Sequence, residues 1–227
     1  MTRQIFPDPA ALATTAASSF KTLALEAVQS RGRFTVALSG GSTPRIVYEA
    51  LATLDGVPWT QTHVFWGDDR LVPPDDSSSN YKMAWDALLS RVPVPAANIH
   101  RIKGELEGAA AVKAYTTELE GAFGSSIVFD LVHLGIGPDG HTASLFPATP
   151  NLETESPVLE TFPTPGLEPQ VARVSLSLHV LNAARVKQFF VTGANKIPIL
   201  ERIKAGEELP AARVENAEWW LDAAAAQ

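Results

Sequence analysis

Short apolar runs of the β type alternate along this chain with longer segments whose apolar residues recur at helical spacing. This alternation is typical of βα units built around a parallel sheet. Helices are predicted at 10–30, from 43 onward, and at 79–90, 108–122, 178–184 and 195–205. Strands are predicted at 34–38, 63–66, around 99, and at 128–134, 171–175, 186–192 and, as strand or turn, 219–221. Because no repeat or linker divides it, the chain is predicted to form one α/β domain over residues 1–227, with a mostly parallel twisted sheet and helices on both faces.

The segment 147–170 departs from this pattern because it contains six prolines. Proline cannot donate to the hydrogen-bond ladder of a central strand. We therefore predict a long surface loop there, with one edge strand at 158–162.

Composition narrows the class of protein. Hydrophobic residues make up 45% and charged residues 19% of the 227, which is ordinary for a globular domain. Cysteine is absent, which excludes disulfides, thiolate nucleophiles and cysteine-ligated metals. The net charge of −7, without a basic stripe, argues against nucleic acid as a partner. Pro7 and Pro9 interrupt the N-terminal segment, and no apolar stretch is long enough for a membrane span, so we expect a soluble, cytoplasmic protein.

Residues 135–140 read Gly-Ile-Gly-Pro-Asp-Gly and fit the G-x-G-x-x-G pattern of a dinucleotide-binding loop. Such a loop needs a long helix directly after its glycines, and Pro147 leaves fewer than two turns for one. The same glycines would also let the backbone pass close to a ligand at the carboxyl edge of the sheet and place His141 there as a general base. A plain glycine-rich connection with a surface histidine is the other interpretation of these residues.

Three further segments follow predicted strands. Ser39-Gly40-Gly41-Ser42-Thr43-Pro44 opens a helix, with Thr43 predicted as its N-cap and Pro44 as its first residue, and free N–H groups at such a position bind anions. Asp68-Asp69-Arg70 brings a guanidinium suited to phosphate, and Lys196 opens a later helix. Each could be an ordinary capped turn, surface ion pair or solvated lysine. Their convergence with His141 on one edge favours a phosphate-ester site.

The sequence does not contain the motifs of a metal site, a nucleotide-hydrolysing loop or a serine nucleophile. The five histidines lack the spacing of a metal site, the G-K-[ST] ending of a nucleotide-hydrolysing loop is missing, and there is no G-x-S-x-G nucleophile motif. We expect no metal and no cofactor. The implied chemistry is proton transfer or water activation on a phosphorylated small molecule.

Residues 135–147, Gly-Ile-Gly-Pro-Asp-Gly-His-Thr-Ala-Ser-Leu-Phe-Pro, resemble the signature of the 6-phosphogluconolactonases, which are related to the glucosamine-6-phosphate isomerases and deaminases. Residues 38–44, 66–70, 79–81 and 191–196 extend the resemblance, which covers about 34–205. It implies the Rossmann-like fold of the sugar-phosphate isomerases and deaminases. It also implies hydrolysis of 6-phospho-D-glucono-1,5-lactone to 6-phospho-D-gluconate in the oxidative pentose phosphate pathway.

The resemblance implies a role for each candidate residue. His141 is the general base and, with Asp139, is assigned to the catalytic group. The phosphate is held by Arg70, Lys196 and the loop Ser39, Gly40, Gly41 and Ser42, with Asp68 near the sugar. The expected partner is the phosphosugar lactone alone, bound by a monomer or a weak homo-oligomer.

Two alternative functions remain, and the sequence departs from the family pattern at two positions. The related deaminases continue the motif with an Ile-Ala-Phe-Asn-Glu-Pro type of ending, whereas residues 142–147 read Thr-Ala-Ser-Leu-Phe-Pro. A non-catalytic sugar-phosphate-binding protein would have no need of His141. The family usually has glutamate at Asp69 and often glycine at Ala148, so any role of Asp69 in orienting Arg70 is open.

Overall fold

A central sheet of six parallel strands forms the core of the computed structural model, which describes residues 2–227. In chain order the elements are β1 (Thr2–Phe6), α1 (Pro9–Arg31), β2 (Phe34–Leu38), α2 (Ser42–Leu51), β3 (Thr62–Trp66), β4 (Asp68–Arg70), α3 (Asn80–Ala87), α4 (Gly108–Phe123), β5 (Leu131–Leu134), β6 (Val158–Thr161), β7 (Arg173–Leu176), α5 (Leu178–Ala183), β8 (Val186–Val191), α6 (Ile197–Lys204) and β9 (Glu218–Asp222). The central strands lie in the order β1-β9-β8-β5-β2-β3. The predicted single α/β domain with a mostly parallel sheet is confirmed.

Local sequence signals explain where the first helix begins and ends. The Asp8 carboxylate accepts a hydrogen bond of 2.8 Å from the N–H of Ala11, and Pro9 occupies the first turn, where its missing N–H costs nothing. Gly32 ends the helix with a left-handed φ of 77°, which glycine adopts without strain. The chain then enters β2, whose five residues are all buried. A strand buried on both faces is expected of a parallel sheet covered by helices.

The order of the strands creates a crevice between β2 and β5. From β2 the chain continues to β3 on one side, whereas β5, β8 and β9 follow one another on the other side. Adjacent strands whose connections leave in opposite directions form a topological switch point, and ligands bind outside the carboxyl ends of the strands there. The loops after β2 and β5 contain two of the segments that the sequence analysis predicts as part of a binding site, residues 39–44 and 135–141.

A second sheet of three antiparallel strands, in the order β4-β7-β6, lies beside this crevice. Gly67 links the two sheets, because its N–H donates to Leu38 O and its carbonyl accepts from Leu176 N, both at 2.8 Å. The edge strand predicted at 158–162 is confirmed as β6, the outer strand of the small sheet. The sequence pattern did not reveal β4, because three polar residues carry no apolar periodicity.

Other differences concern element ends. The pattern missed β1, whose residues are mostly exposed at the edge of the sheet, and the strand predicted around Ile99 is a single bridge to Val64. The N-cap of α2 is Gly41 and not Thr43, because Gly41 takes a φ of 107° and starts the helix two residues earlier. Pro44 is therefore the third helical residue. Within residues 2–227, no helix combines the length and the apolar character that a membrane crossing requires.

His133 lies at the centre of the core, on β5, with no exposed surface. Its ring packs against Phe20, Tyr48 and Phe190 at centroid distances of 6.1, 5.8 and 4.8 Å. Neither ring nitrogen has a hydrogen-bond partner within the described residues. Burial lowers the pKa of His133 to about 3, so the ring is neutral in the folded protein at physiological pH.

This burial predicts a specific loss of stability in acid. The unfolded chain binds a proton at His133 below its ordinary pKa of about 6.5, and the folded chain does not, so the free energy of unfolding falls as the pH drops below 6.5. The loss at this one residue is about 2 kcal/mol between pH 7 and pH 5. His133→Leu should remove it in urea denaturation at the two pH values, whereas His179→Gln, at an exposed histidine, should retain it. Equal losses in the wild type and His133→Leu would contradict the assignment.

Candidate active site

A pocket of about 180 Å³ opens at the carboxyl edge of the central sheet, between the loops that follow β2 and β5. A pocket of this size is on the scale of one small molecule. Its lining comes from both sheets and from the start of α3: Ser39, Gly40, Gly41, Asp68, Arg70, Asn80, Gly135, Ile136, Gly137, His141, Ala143 and Arg173. Loops from separate parts of the sequence therefore meet here.

His141 faces this pocket with its tautomer fixed. Its Nδ1 lies 2.5 Å from Oδ1 of Asp139, and because a carboxylate only accepts, Nδ1 carries the proton. In the neutral ring this leaves Nε2 as the acceptor, and a general base acts through such an atom. The ring lies so close to Gly137 that any Cβ at that position would overlap it. The glycine of the motif therefore makes room for the base.

Asp139 holds the histidine from below the pocket surface and does not line the pocket itself. The same Oδ1 accepts the backbone N–H of His141 at 3.1 Å, and Oδ2 accepts from the Thr164 hydroxyl at 3.2 Å. Partial burial raises the pKa of Asp139, but the hydrogen bonds and charge of His141 outweigh it and lower that pKa to about 2. The carboxylate is therefore ionised throughout the neutral range and accepts both hydrogen bonds from His141.

Arg70 and Arg173 lie opposite each other on the neighbouring antiparallel strands β4 and β7. Both line the pocket, and the buried Nε of each has no hydrogen-bond partner among residues 2–227. None of the ion pairs in this part of the chain includes either guanidinium. Burial, and then the charge of Arg70, lower the pKa of Arg173. Two like charges placed together without a carboxylate partner form a site for an anion.

The loop after β2 reaches the pocket through its first three residues. Ser39 donates its N–H to the Tyr48 hydroxyl at 2.9 Å, which fixes the exit of the strand, and Gly40 and Gly41 then line the pocket. Ser42 is exposed and lies outside the lining. The Thr43 hydroxyl lies 2.7 Å from that of Thr192 and so links the loop to the end of β8.

Asp68 lines the pocket, whereas Lys196 lies outside its lining. Lys196 lies outside the lining, and its ammonium donates to the carbonyl of Ile136 at 2.6 Å, so it holds the loop after β5. Burial lowers the pKa of Lys196, and the charge of Asp139 opposes that effect. Asp68 lines the pocket and accepts from the Ser144 hydroxyl at 2.5 Å.

The two departures from the family pattern have structural consequences. The Asp69 carboxylate accepts the backbone N–H groups of Arg70, Asn80 and Tyr81 at 2.8, 2.6 and 3.0 Å, so it holds the start of α3 and does not contact the Arg70 guanidinium. Ala148 has a φ of 56°, a left-handed conformation that glycine adopts more readily, so the glycine that the resemblance leads one to expect there would fit without strain.

Six of the nine candidate residues therefore line one pocket, and Ser42, Asp139 and Lys196 lie next to it. Sequence reasoning missed Arg173, because its place in the pocket depends on the antiparallel pairing with β4. After His141 the chain forms a bridge between Thr142 and Leu145, and the next helical turn begins at Pro150, so the glycine motif does not open a cofactor-binding helix. Across the described residues, no group of three or more histidine and carboxylate side chains is arranged to hold a metal ion.

Several known proteins are similar to this chain over most of its length. A 6-phosphogluconolactonase of Nostoc sp. is 41% identical over 210 residues, which are 90% of this chain and 85% of that protein. A 6-phosphogluconolactonase of Haemophilus influenzae is 39% identical over 202 residues, 84% of this chain and 85% of that protein. The crystal structure of 6-phosphogluconolactonase from Thermotoga maritima superposes with a TM-score of 0.87 at 31% identity, covering 97% of this chain and 98% of that one.

A family model described as glucosamine-6-phosphate isomerases/6-phosphogluconolactonase matches residues 7–221. This range contains every strand of the two sheets except β1 and the last residue of β9, and it contains every residue of the pocket. The chain therefore belongs to the glucosamine-6-phosphate isomerase/6-phosphogluconolactonase family.

Proposed function

We propose that this protein hydrolyses 6-phospho-D-glucono-1,5-lactone to 6-phospho-D-gluconate, the lactonase step of the oxidative pentose phosphate pathway, in the cytoplasm. One observation carries the proposal: a histidine whose Nδ1 is held by Asp139 shares a pocket with the half-buried Arg70 and the buried Arg173, and within residues 2–227 neither arginine forms an ion pair with a carboxylate. A base on one side and an unsatisfied anion site on the other suit a phosphorylated ester. The lactonase names of the relatives support the same assignment.

In the proposed reaction, Nε2 of His141 removes a proton from water as the oxygen attacks the lactone carbonyl. The resulting tetrahedral oxyanion re-forms the carbonyl, the bond from that carbon to the ring oxygen breaks, and the imidazolium returns its proton to the departing oxygen. The products are a carboxylic acid, which ionises, and a free hydroxyl. Asp139 stabilises the imidazolium between these two steps, and such a base contributes about 10²–10⁴ in rate.

The phosphate binds at the other end of the pocket. We assign it to Arg70, to the loop of residues 39–42 and to Lys196, and we add Arg173 because it lies opposite Arg70. A guanidinium offers a planar pair of donors to phosphate oxygens, and an Nε without a partner gains one when the ligand binds. Asp68, at the floor of the pocket, is placed to accept from a sugar hydroxyl. Binding at the phosphate orients the distant carbonyl toward His141.

The decisive experiment is acid release from freshly prepared 6-phosphogluconolactone, with unphosphorylated gluconolactone as the matched control. We expect rapid hydrolysis of the phosphorylated lactone and a much slower rate with the control, since the arginines recognise the phosphate. Ammonia release or isomerisation with hexosamine 6-phosphates would instead indicate a deaminase or isomerase. Tight binding without hydrolysis would indicate a non-catalytic sugar-phosphate-binding protein.

His141→Ala should lower kcat by at least about 10²-fold after correction for spontaneous hydrolysis, because the base is lost. The fold should be retained, since His141 is part of a loop and contributes little to the core. His179→Gln, at an exposed histidine remote from the pocket lining, serves as the control. A near-normal corrected kcat in His141→Ala would remove His141 as the base.

Arg70→Ala should mainly raise KM, by about ten- to a hundredfold, because it removes charge-assisted hydrogen bonds to the phosphate. Some loss of kcat is also expected, since remote binding energy positions the reacting bond. Arg45→Ala is the matched control: this arginine is exposed on α2 and pairs with Glu49 at 3.0 Å. Saturation by the phosphorylated lactone that is unchanged in Arg70→Ala would contradict the phosphate assignment.

A further inference from the structure

Asn80 occupies an unusual position for a polar side chain. It is the first residue of α3, is 3% exposed, and its amide lines the pocket. The sequence segment Ser79-Asn80-Tyr81 carries part of the family resemblance, but the proposed reaction gives this segment no role. The contacts of the Asn80 side chain indicate a role.

The amide of Asn80 connects two candidate substrate-binding residues. Nδ2 donates to the backbone carbonyl of Asp68 at 2.9 Å and to its carboxylate at 3.3 Å. Oδ1 accepts a short hydrogen bond from Nη1 of Arg70. The orientation of the amide is fixed, because the reverse one would place its N–H groups against the guanidinium and its oxygen against the two oxygens of Asp68.

The position of Asn80 is itself fixed from its backbone. Its N–H donates to Oδ1 of Asp69 at 2.6 Å, and the Ser79 hydroxyl caps the helix by accepting the N–H of Lys82 at 3.2 Å. On the other side, a Cβ at Gly40 would overlap Oδ1 of Asn80, so the loop after β2 lies directly against the amide. Asn80 therefore contacts two of the segments that line the pocket, β4 and the loop after β2.

The Arg70 guanidinium depends on these contacts for its direction. Its Nη1 donates to the carbonyl of Ser78 at 3.0 Å and to Oδ1 of Asn80, both of which lie at the start of α3. Held there, the guanidinium of Arg70 stays in the pocket lining, although its buried Nε has no partner in the described chain. Without the amide oxygen, only one acceptor would hold a flexible side chain against its own entropy.

We propose that Asn80 is a positioning residue that sets the direction of Arg70 for phosphate binding. The identity of the substrate in this inference rests on the proposed function. The positioning role itself rests on the contacts of Asn80 with Arg70 and Asp68. Asn80 acts through Arg70 and does not itself contact the reacting carbonyl. Its effect must therefore disappear when Arg70 is absent.

The test is a double-mutant cycle of Asn80→Ala, Arg70→Ala and the two combined, with KM and kcat measured for 6-phosphogluconolactone. We expect Asn80→Ala to raise KM about tenfold with a smaller change in kcat. The double variant should be no worse than Arg70→Ala, because residues that act together are not additive. Effects on KM that add would overturn the proposal.

Ser79→Ala is the structural control. It removes the cap of the same helix and should lower the melting temperature while leaving KM within about twofold of the wild type. A rise in KM as large as that of Asn80→Ala would mean that helix stability alone explains the effect. Asn80→Ser, which suits a helix start and is too short to reach Arg70, replaces Asn80→Ala in the cycle if that variant does not fold.

The same proteins also separate this inference from the proposed function. If the wild type does not hydrolyse the lactone, the reaction assignment fails, and the cycle is then measured as the Kd for inorganic phosphate by calorimetry. Non-additive losses of phosphate affinity support the positioning role, and additive losses refute it. If hydrolysis is rapid and the KM effects add, the reaction assignment stands and only the role of Asn80 fails.

Discussion

The parallel pairing of β2 with β5 is the constraint on which the site depends. Val36 lies opposite Leu131 and Ala37 opposite Val132, so the two strands end at the same level. The glycine loop after β2 and the loop that carries His141 are therefore brought side by side, although about a hundred residues separate them in the sequence. A shift of one residue in this register would turn the buried side chains of either strand to the opposite face, and for that reason the core fixes the site.

The small antiparallel sheet adds two positive charges to the site formed by the loops after β2 and β5, and it does so at a cost in stability. It places Arg70 beside Arg173 and leaves an Nε of each without a partner, which desolvates two cations that repel one another. A protein selected for stability alone would place a carboxylate or an apolar side chain there. A phosphate bound as proposed would supply the missing charge, and ligand binding would then stabilise this region.

The sequence could predict those parts of the site that follow a strand directly. His141, Arg70 and the glycines of the first loop each come just after an apolar run, and the α/β pattern places all such residues at one edge. Arg173 could not be found in this way, because it lies inside a strand whose partner, β4, has no hydrophobic pattern. Asn80 was visible only as part of a resemblance, and its contacts depend on where Asp69 holds the helix. The true N-cap, Gly41, was missed because Thr43 is chemically the better capping residue and only the backbone conformation decides against it.

The proline-rich segment after β5 touches the catalytic group at one point, where the Thr164 hydroxyl donates to the carboxylate that holds His141. Oδ1 of that carboxylate accepts from the imidazole and from the backbone N–H of His141, and Oδ2 accepts from Thr164. The orientation of the carboxylate, and with it the direction of the imidazole ring, therefore depends in part on an exposed residue outside the pocket lining. An irregular surface segment thereby takes part in setting the geometry of the pocket.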